Sequence, residues 1–166
     1  QNGLTQHHQN NMGTFTGPDI PTNGLVLALD ATSERSYPGS GTTWYDLSGL
    51  GNDATLINGT SWNSSGYFQT DGVDQTISIP NAASLQVTTG FTQVIWVKLN
   101  NITTVSFAQL FGKPSYLKYG MIVEWTGGNP IVFDFTNASG RNAASTTGGS
   151  GSWMMVAQSY NAAGGS

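Results

Sequence analysis

Apolar positions along this chain come in short runs, each cut off by Gly, Asn or Pro. Residues 91–99 (FTQVIWVKL) make the clearest run, rich in β-branched and aromatic side chains. Shorter runs read as strands at 24–30 (GLVLALD), 67–70, 75–80, 106–111, 119–125, 130–136 and 153–160. In the third of these, Ile77 and Ile79 recur at period two. The breaks are turn-forming: 112–114 (GKP), 127–130 (GGNP) and 146–151 (TTGGSG). No stripe at helical spacing and no internal repeat is present. Strands of this length between such turns predict an all-β chain folded as an antiparallel β-sandwich or jelly roll. Residues 1–23 differ, being polar and irregular, and Pro18 and Pro21 break any helix there. They read as an extended N-terminal arm, either a loose terminus or an arm ordered against a neighbouring subunit, with the sandwich over 24–166.

Composition narrows the classes of function. Only 8% of the 166 residues are charged, against about a quarter in ordinary globular chains. Ser, Thr, Asn and Gly must therefore provide solubility, as is common outside cells and in virions. Five Trp, six Tyr and seven Phe set in apolar runs argue for a packed core. The net charge is −4, and the basic residues Arg35, Lys98, Lys113, Lys118 and Arg141 are scattered, so no phosphate-tracking stripe for nucleic acid forms. With no cysteine there is no disulfide, thiolate chemistry or Cys-based zinc site. No apolar run is long enough for a membrane-spanning helix. The chain starts with Gln and shows no basic-then-apolar leader, so it is expected to be processed or to be part of something longer.

The order of features in 24–98 is more specific than any one of them. An apolar strand ends in Asp30. A polar loop carries Trp44-Tyr45-Asp46-Leu47-Ser48-Gly49, and a Gly51-Asn52-Asp53 turn follows. Next come Tyr67-Phe68-Gln69-Thr70-Asp71-Gly72-Val73-Asp74, a short strand closing at Pro80, and a strand bearing Trp96. Further on, Trp153, Val156 and Tyr160 share a strand. This arrangement resembles the laminin-G-like, concanavalin-A-like β-sandwiches of secreted bacterial proteins and tailed-phage structural proteins. The resemblance implies a jelly-roll sandwich with Trp96 and Trp153 in its core. The family has a His pair after the second Trp, where this chain has Met154 and Met155. The family also continues into another hairpin and a final strand, whereas this sequence ends at Ser166. The expectation is a sandwich lacking its last strands, completed by further residues or by another chain, because open sheet edges leave N–H and C=O groups unpaired.

Glycoside hydrolysis needs two carboxyl groups roughly 5 to 9.5 Å apart, and the Glu-x-Asp-x-Glu of glucanases with this fold is absent. Glu34 lies in a polar loop, and Glu124 approaches Asp134 only if a hairpin forms about residues 127–130. His7 and His8, both in the arm, support no nucleophilic triad. The chain is therefore expected not to be an enzyme. Relatives of this fold hold calcium at the rim, which makes Asp46, Asn52, Asp53, Asp71 and Asp74 candidate ligands, with calcium the only candidate cofactor. The competing reading of the same residues is turn formation by side chains that bond their own backbone. For sugar recognition, Trp62 and Trp125 are the candidate glycan platforms, set against plain loop packing. Four Asn-x-Ser/Thr sequons, at Asn58, Asn63, Asn101 and Asn137, matter only in a eukaryotic secretory host.

The function expected from these residues and from the resemblance is that of a phage virion component, in capsid decoration or a neck or tail fibre. The arm would join other virion subunits or further copies of the chain, and the loops would contact host-surface carbohydrate. The alternative is a secreted, extracellular bacterial carbohydrate-binding or adhesion module, and after it a glycoside hydrolase.

Overall fold

The computed structural model describes residues 22–87, 90–100, 107–112, 120–124, 130–137, 140–147 and 151–161. Among these residues every strand pairing is antiparallel and the only helical element is a 3-10 turn at Ala83–Leu85, an all-β arrangement. It divides into two compact units, residues 1–86 and 87–166.

The first unit contains a three-stranded sheet and a hairpin. β1 (Thr43–Trp44) and β5 (Thr76–Ser78) flank β2 (Ala54–Ile57). β2 alternates as a half-buried strand should, with Ala54 and Leu56 buried and Thr55 exposed. Its register sets Leu56 opposite Ile77, so the period-two Ile pattern meets the apolar face of its neighbour. β3 (Ser61–Asn63) and β4 (Tyr67–Gln69) form the hairpin, with Trp62 opposite Phe68. Aromatic rings knit the unit together. Tyr37 packs edge-on against Phe68 at 4.9 Å and tilted against Trp62 at 5.6 Å, and Trp44 lies 4.6 Å from Phe68.

The run at 24–30, expected as a strand, joins no ladder among the described residues. Side chains take over the role of a neighbouring strand. The Ala28 N–H donates to Asp46 Oδ1 (2.9 Å), the Asp30 N–H donates to Ser36 Oγ (3.1 Å), and the Val26 carbonyl accepts from Asn52 Nδ2 (2.7 Å). One backbone bond, from the Leu47 N–H to the Ala28 carbonyl (2.8 Å), completes the attachment.

The second unit is built from paired strands. β6 (Gly90–Lys98) pairs with β11 (Trp153–Asn161), β7 (Phe107–Gly112) with β8 (Gly120–Glu124), and β9 (Pro130–Asn137) with β10 (Gly140–Thr147). Pro130 sits at the first position of β9, where its missing N–H costs least. A register shift interrupts β7 between Gln109 and Phe111.

The burial of β6 and β11 corrects one expectation. Trp96 is 65% exposed and Trp153 is 47% exposed, so neither is a core residue. The buried members of the pair are Gln93 and Val156 on the opposite face. Both faces of β6 are apolar, with Val94 and Trp96 on one and Ile95 and Val97 on the other. Period two therefore identifies the strand without saying which face turns inward. The register then places Trp96 beside Met155, and Trp153 beside Lys98, on the outward face. On the inward face Gln93 Nε2 donates to Gln158 Oε1 across the ladder (2.8 Å).

Candidate functional site

The hairpin β3–β4 shapes an open cleft of about 310 Å³ in the first unit. Its loop, residues 64–66, is the three-residue kind. Asn63 and Tyr67 pair at its base, the Gly66 N–H returns to the Asn63 carbonyl (2.8 Å), and Gly66 takes a left-handed φ of 83°. The Asn63 side chain also accepts from the Ser65 N–H (2.9 Å). Gly66 is required twice over, since a Cβ there would also collide with Thr32 Cγ2. This close approach brings the 30s loop against the hairpin. Thr32 is fixed in turn, its N–H (2.8 Å) and hydroxyl (2.6 Å) both donating to Asp30 Oδ1.

Trp62 is the plane of the cleft. It is half-buried, with Nε1 donating to the Ala31 carbonyl (3.0 Å) and its ring packed against Tyr37. Tyr37 is held by its own hydroxyl, which donates to the Gly41 carbonyl (2.9 Å). Around the indole, the cleft is lined by Thr32, Glu34, Tyr37, Ser64 and Ser65. A fixed aromatic plane, three hydroxyls and a carboxylate can stack on an apolar sugar face and bond its hydroxyls.

The proposed calcium residues fall into two groups. Asp46, Asn52 and Asp53 come together, but as a hydrogen-bonded knot. Asp46 Oδ1 accepts from the N–H groups of Ala28 and Ser48 (both 2.9 Å), and Oδ2 accepts from the Ser48 hydroxyl (2.6 Å) and the Asn52 N–H (3.0 Å). Asp53 Oδ1 accepts from the Asp46 N–H (2.8 Å). Asn52, 2% exposed, donates to Val26 and to Ser84 Oγ (3.0 Å). Burial pushes the Asp46 carboxyl up, but the Ser48 hydroxyl and the N–H groups of Ala28, Ser48 and Asn52 together hold it below the usual aspartate value. Asp71 and Asp74 form a separate exposed turn. There Asp71 Oδ1 accepts from the Val73 N–H (2.9 Å), with longer contacts to the N–H groups of Asp74 and Gln75, and these backbone bonds lower its pKa.

Asp46 presents oxygens already facing N–H and O–H donors, which does not fit a cation site. Among the described residues, no three His, Cys, Asp or Glu side chains gather as a metal centre.

Trp125, His7 and His8 lie outside the described residues. Glu124 and Asp134 lie on β8 and β9, whose ladder partners are β7 and β10. Glu124 stands opposite Phe107 and Asp134 opposite Ala143. β8 and β9 nevertheless run close together, so the two strands approach as the reading requires, although no ladder between them is described.

Sequence reasoning singled out Trp62 but missed its companions Tyr37, Thr32, Ser64 and Ser65. The signal was available in Asn63-Ser64-Ser65-Gly66, a three-residue hairpin loop ending in glycine between two aromatic-bearing segments. No family model, curated protein or solved structure matches this chain.

Proposed function

We propose that this chain is a non-enzymatic contact protein built on a concanavalin-A-like sandwich, and that it binds glycan in the Trp62 cleft. The observation that carries this reading is the pinned indole of Trp62 facing a cleft that bears the Ser64, Ser65 and Thr32 hydroxyls. Such a surface needs no moving parts to hold a sugar. Its ring is fixed by a hydrogen bond and a neighbouring ring before any ligand arrives, so little ordering entropy is lost on binding.

The setting we favour is a phage virion, in a decorating or fibre protein that touches the host surface. The low charge, the polar arm sequence at 1–23 and the family resemblance support it. Other virion subunits, or further copies of the chain, are the partners this setting supplies. A secreted bacterial carbohydrate-binding or adhesion module is the second reading, and the same cleft favours it, because such a module requires a glycan site.

The test is titration of the full chain against neutral oligosaccharides, followed by Trp fluorescence or NMR. Trp62→Ala is expected to weaken binding by about tenfold or more. Trp62→Phe, which keeps a ring plane, is expected to retain part of it. Circular dichroism and melting curves separate loss of the site from loss of the fold. Undiminished binding in folded Trp62→Ala would remove the cleft from the function.

A further inference from the structure

We propose that the Trp62 cleft sorts its ligands by charge, accepting uncharged pyranosides and turning away sugars that carry a carboxylate or sulfate. This rests on the glycan-binding reading above and adds to it a ligand class and the residue that imposes it.

Among the described residues, Glu34 is the one charged side chain lining the cleft, and no Lys, Arg or His lines it. Its sequence neighbour Arg35 is not among the lining residues. A second carboxylate stands behind the wall, because Asp30 Oδ1 accepts the Thr32 hydroxyl at 2.6 Å. A ligand in the cleft therefore meets the negative charge of Glu34. The whole chain carries a net charge of −4.

Hydrogen-bonding capacity points the same way. An ionised carboxylate only accepts, so Glu34 suits a ligand that donates, such as paired sugar hydroxyls. The Ser64 and Ser65 hydroxyls either donate or accept and set no preference. The Trp62 N–H is already committed to the Ala31 carbonyl (3.0 Å). An anionic sugar would find repulsion from Glu34 and no strong donor in exchange.

The site is open to water, so the expected discrimination is modest, about three- to tenfold at low salt. It should shrink as salt rises, since charges are screened over about 8 to 10 Å at 0.1 to 0.15 M.

The experiment titrates the full chain with methyl galactoside, glucoside and mannoside and with the methyl glycosides of the corresponding free uronic acids, which differ only at C6. Wild type, Glu34→Gln and Trp62→Ala are compared. The expected result is tighter binding of the neutral member, a smaller gap in Glu34→Gln, and weakened binding of both in Trp62→Ala. Equal binding of neutral and acidic members, or an unchanged gap in Glu34→Gln, overturns the charge-sorting inference while leaving the glycan site standing. Absence of binding to every hexoside, or full binding in Trp62→Ala, overturns the glycan reading and this inference together.

Discussion

At the scale of single residues, Asp46 carries the heaviest structural duty in the first unit. Four donors converge on its two oxygens, and its own N–H is held by Asp53. Charge-assisted bonds of this kind are the stronger ones, although partial exposure weakens them. Asp46→Asn places an NH2 group among donors and is expected to cost about 2 kcal/mol in urea unfolding. The pH dependence has a definite sign. The folded carboxyl titrates below the unfolded one, so its stabilisation is present above the unfolded value of about 3.9 and disappears as pH falls through the folded value. Wild type should lose stability on acidification below about pH 4 more steeply than Asp46→Asn, and parallel curves would refute the assignment. The sequence left two readings open for Asp46, turn former or cation ligand. The donor from Ala28 lies 18 residues away and leaves no local trace in the sequence.

At the scale of elements, the β3–β4 hairpin decides where the cleft walls stand. Gly66→Ala combines a left-handed φ with a collision at Thr32 and is expected to destabilise by about 2 to 4 kcal/mol. Adding Thr32→Gly removes the collision and should recover part of that loss, leaving about 1 to 2 kcal/mol for the backbone conformation. Melting of the single and double variants checks this, and a double variant no better than Gly66→Ala would refute the close approach. Legibility varied among elements for physical reasons. β6 and β11 were plain because long β-branched and aromatic runs have few alternatives. β10 (Gly140–Thr147) was not seen, since Arg, Asn, Ala and Ser carry little strand propensity and β9 organises it through the ladder. β1, β2 and β3 are two to four residues long and are set among Gly, Asn, Ser and Thr, so they read as loop. The run at 24–30 misled in the opposite direction. Its letters suit a strand, but pairing is a property of partners, and its partners are the Asp46, Asn52 and Ser36 side chains.

For the whole molecule, the all-β class was legible from turn spacing alone, while the division into units at residues 86 and 87 and the choice of ladder partners were not. Both depend on contacts far apart in sequence. The outward turn of Trp96 and Trp153 belongs to the same class, as burial is decided by register and not by hydrophobicity. Calcium dependence is also a whole-molecule property. Because the Asp46 oxygens are already satisfied by protein donors, chelator is expected to leave the melting temperature unchanged, and a downward shift would show that a cation is held after all. The tethering of residues 25–30 has a consequence for how this protein can drift over time. Grip on main-chain atoms is blind to the letters that carry them. Exchanges among Leu, Val, Ile and Ala at 25–29 should therefore be widely tolerated, while positions 36, 46 and 52 should tolerate few. In any collection of natural variants, the constant letters would then lie in the loops, with the variable ones in the stretch that looks most like a strand.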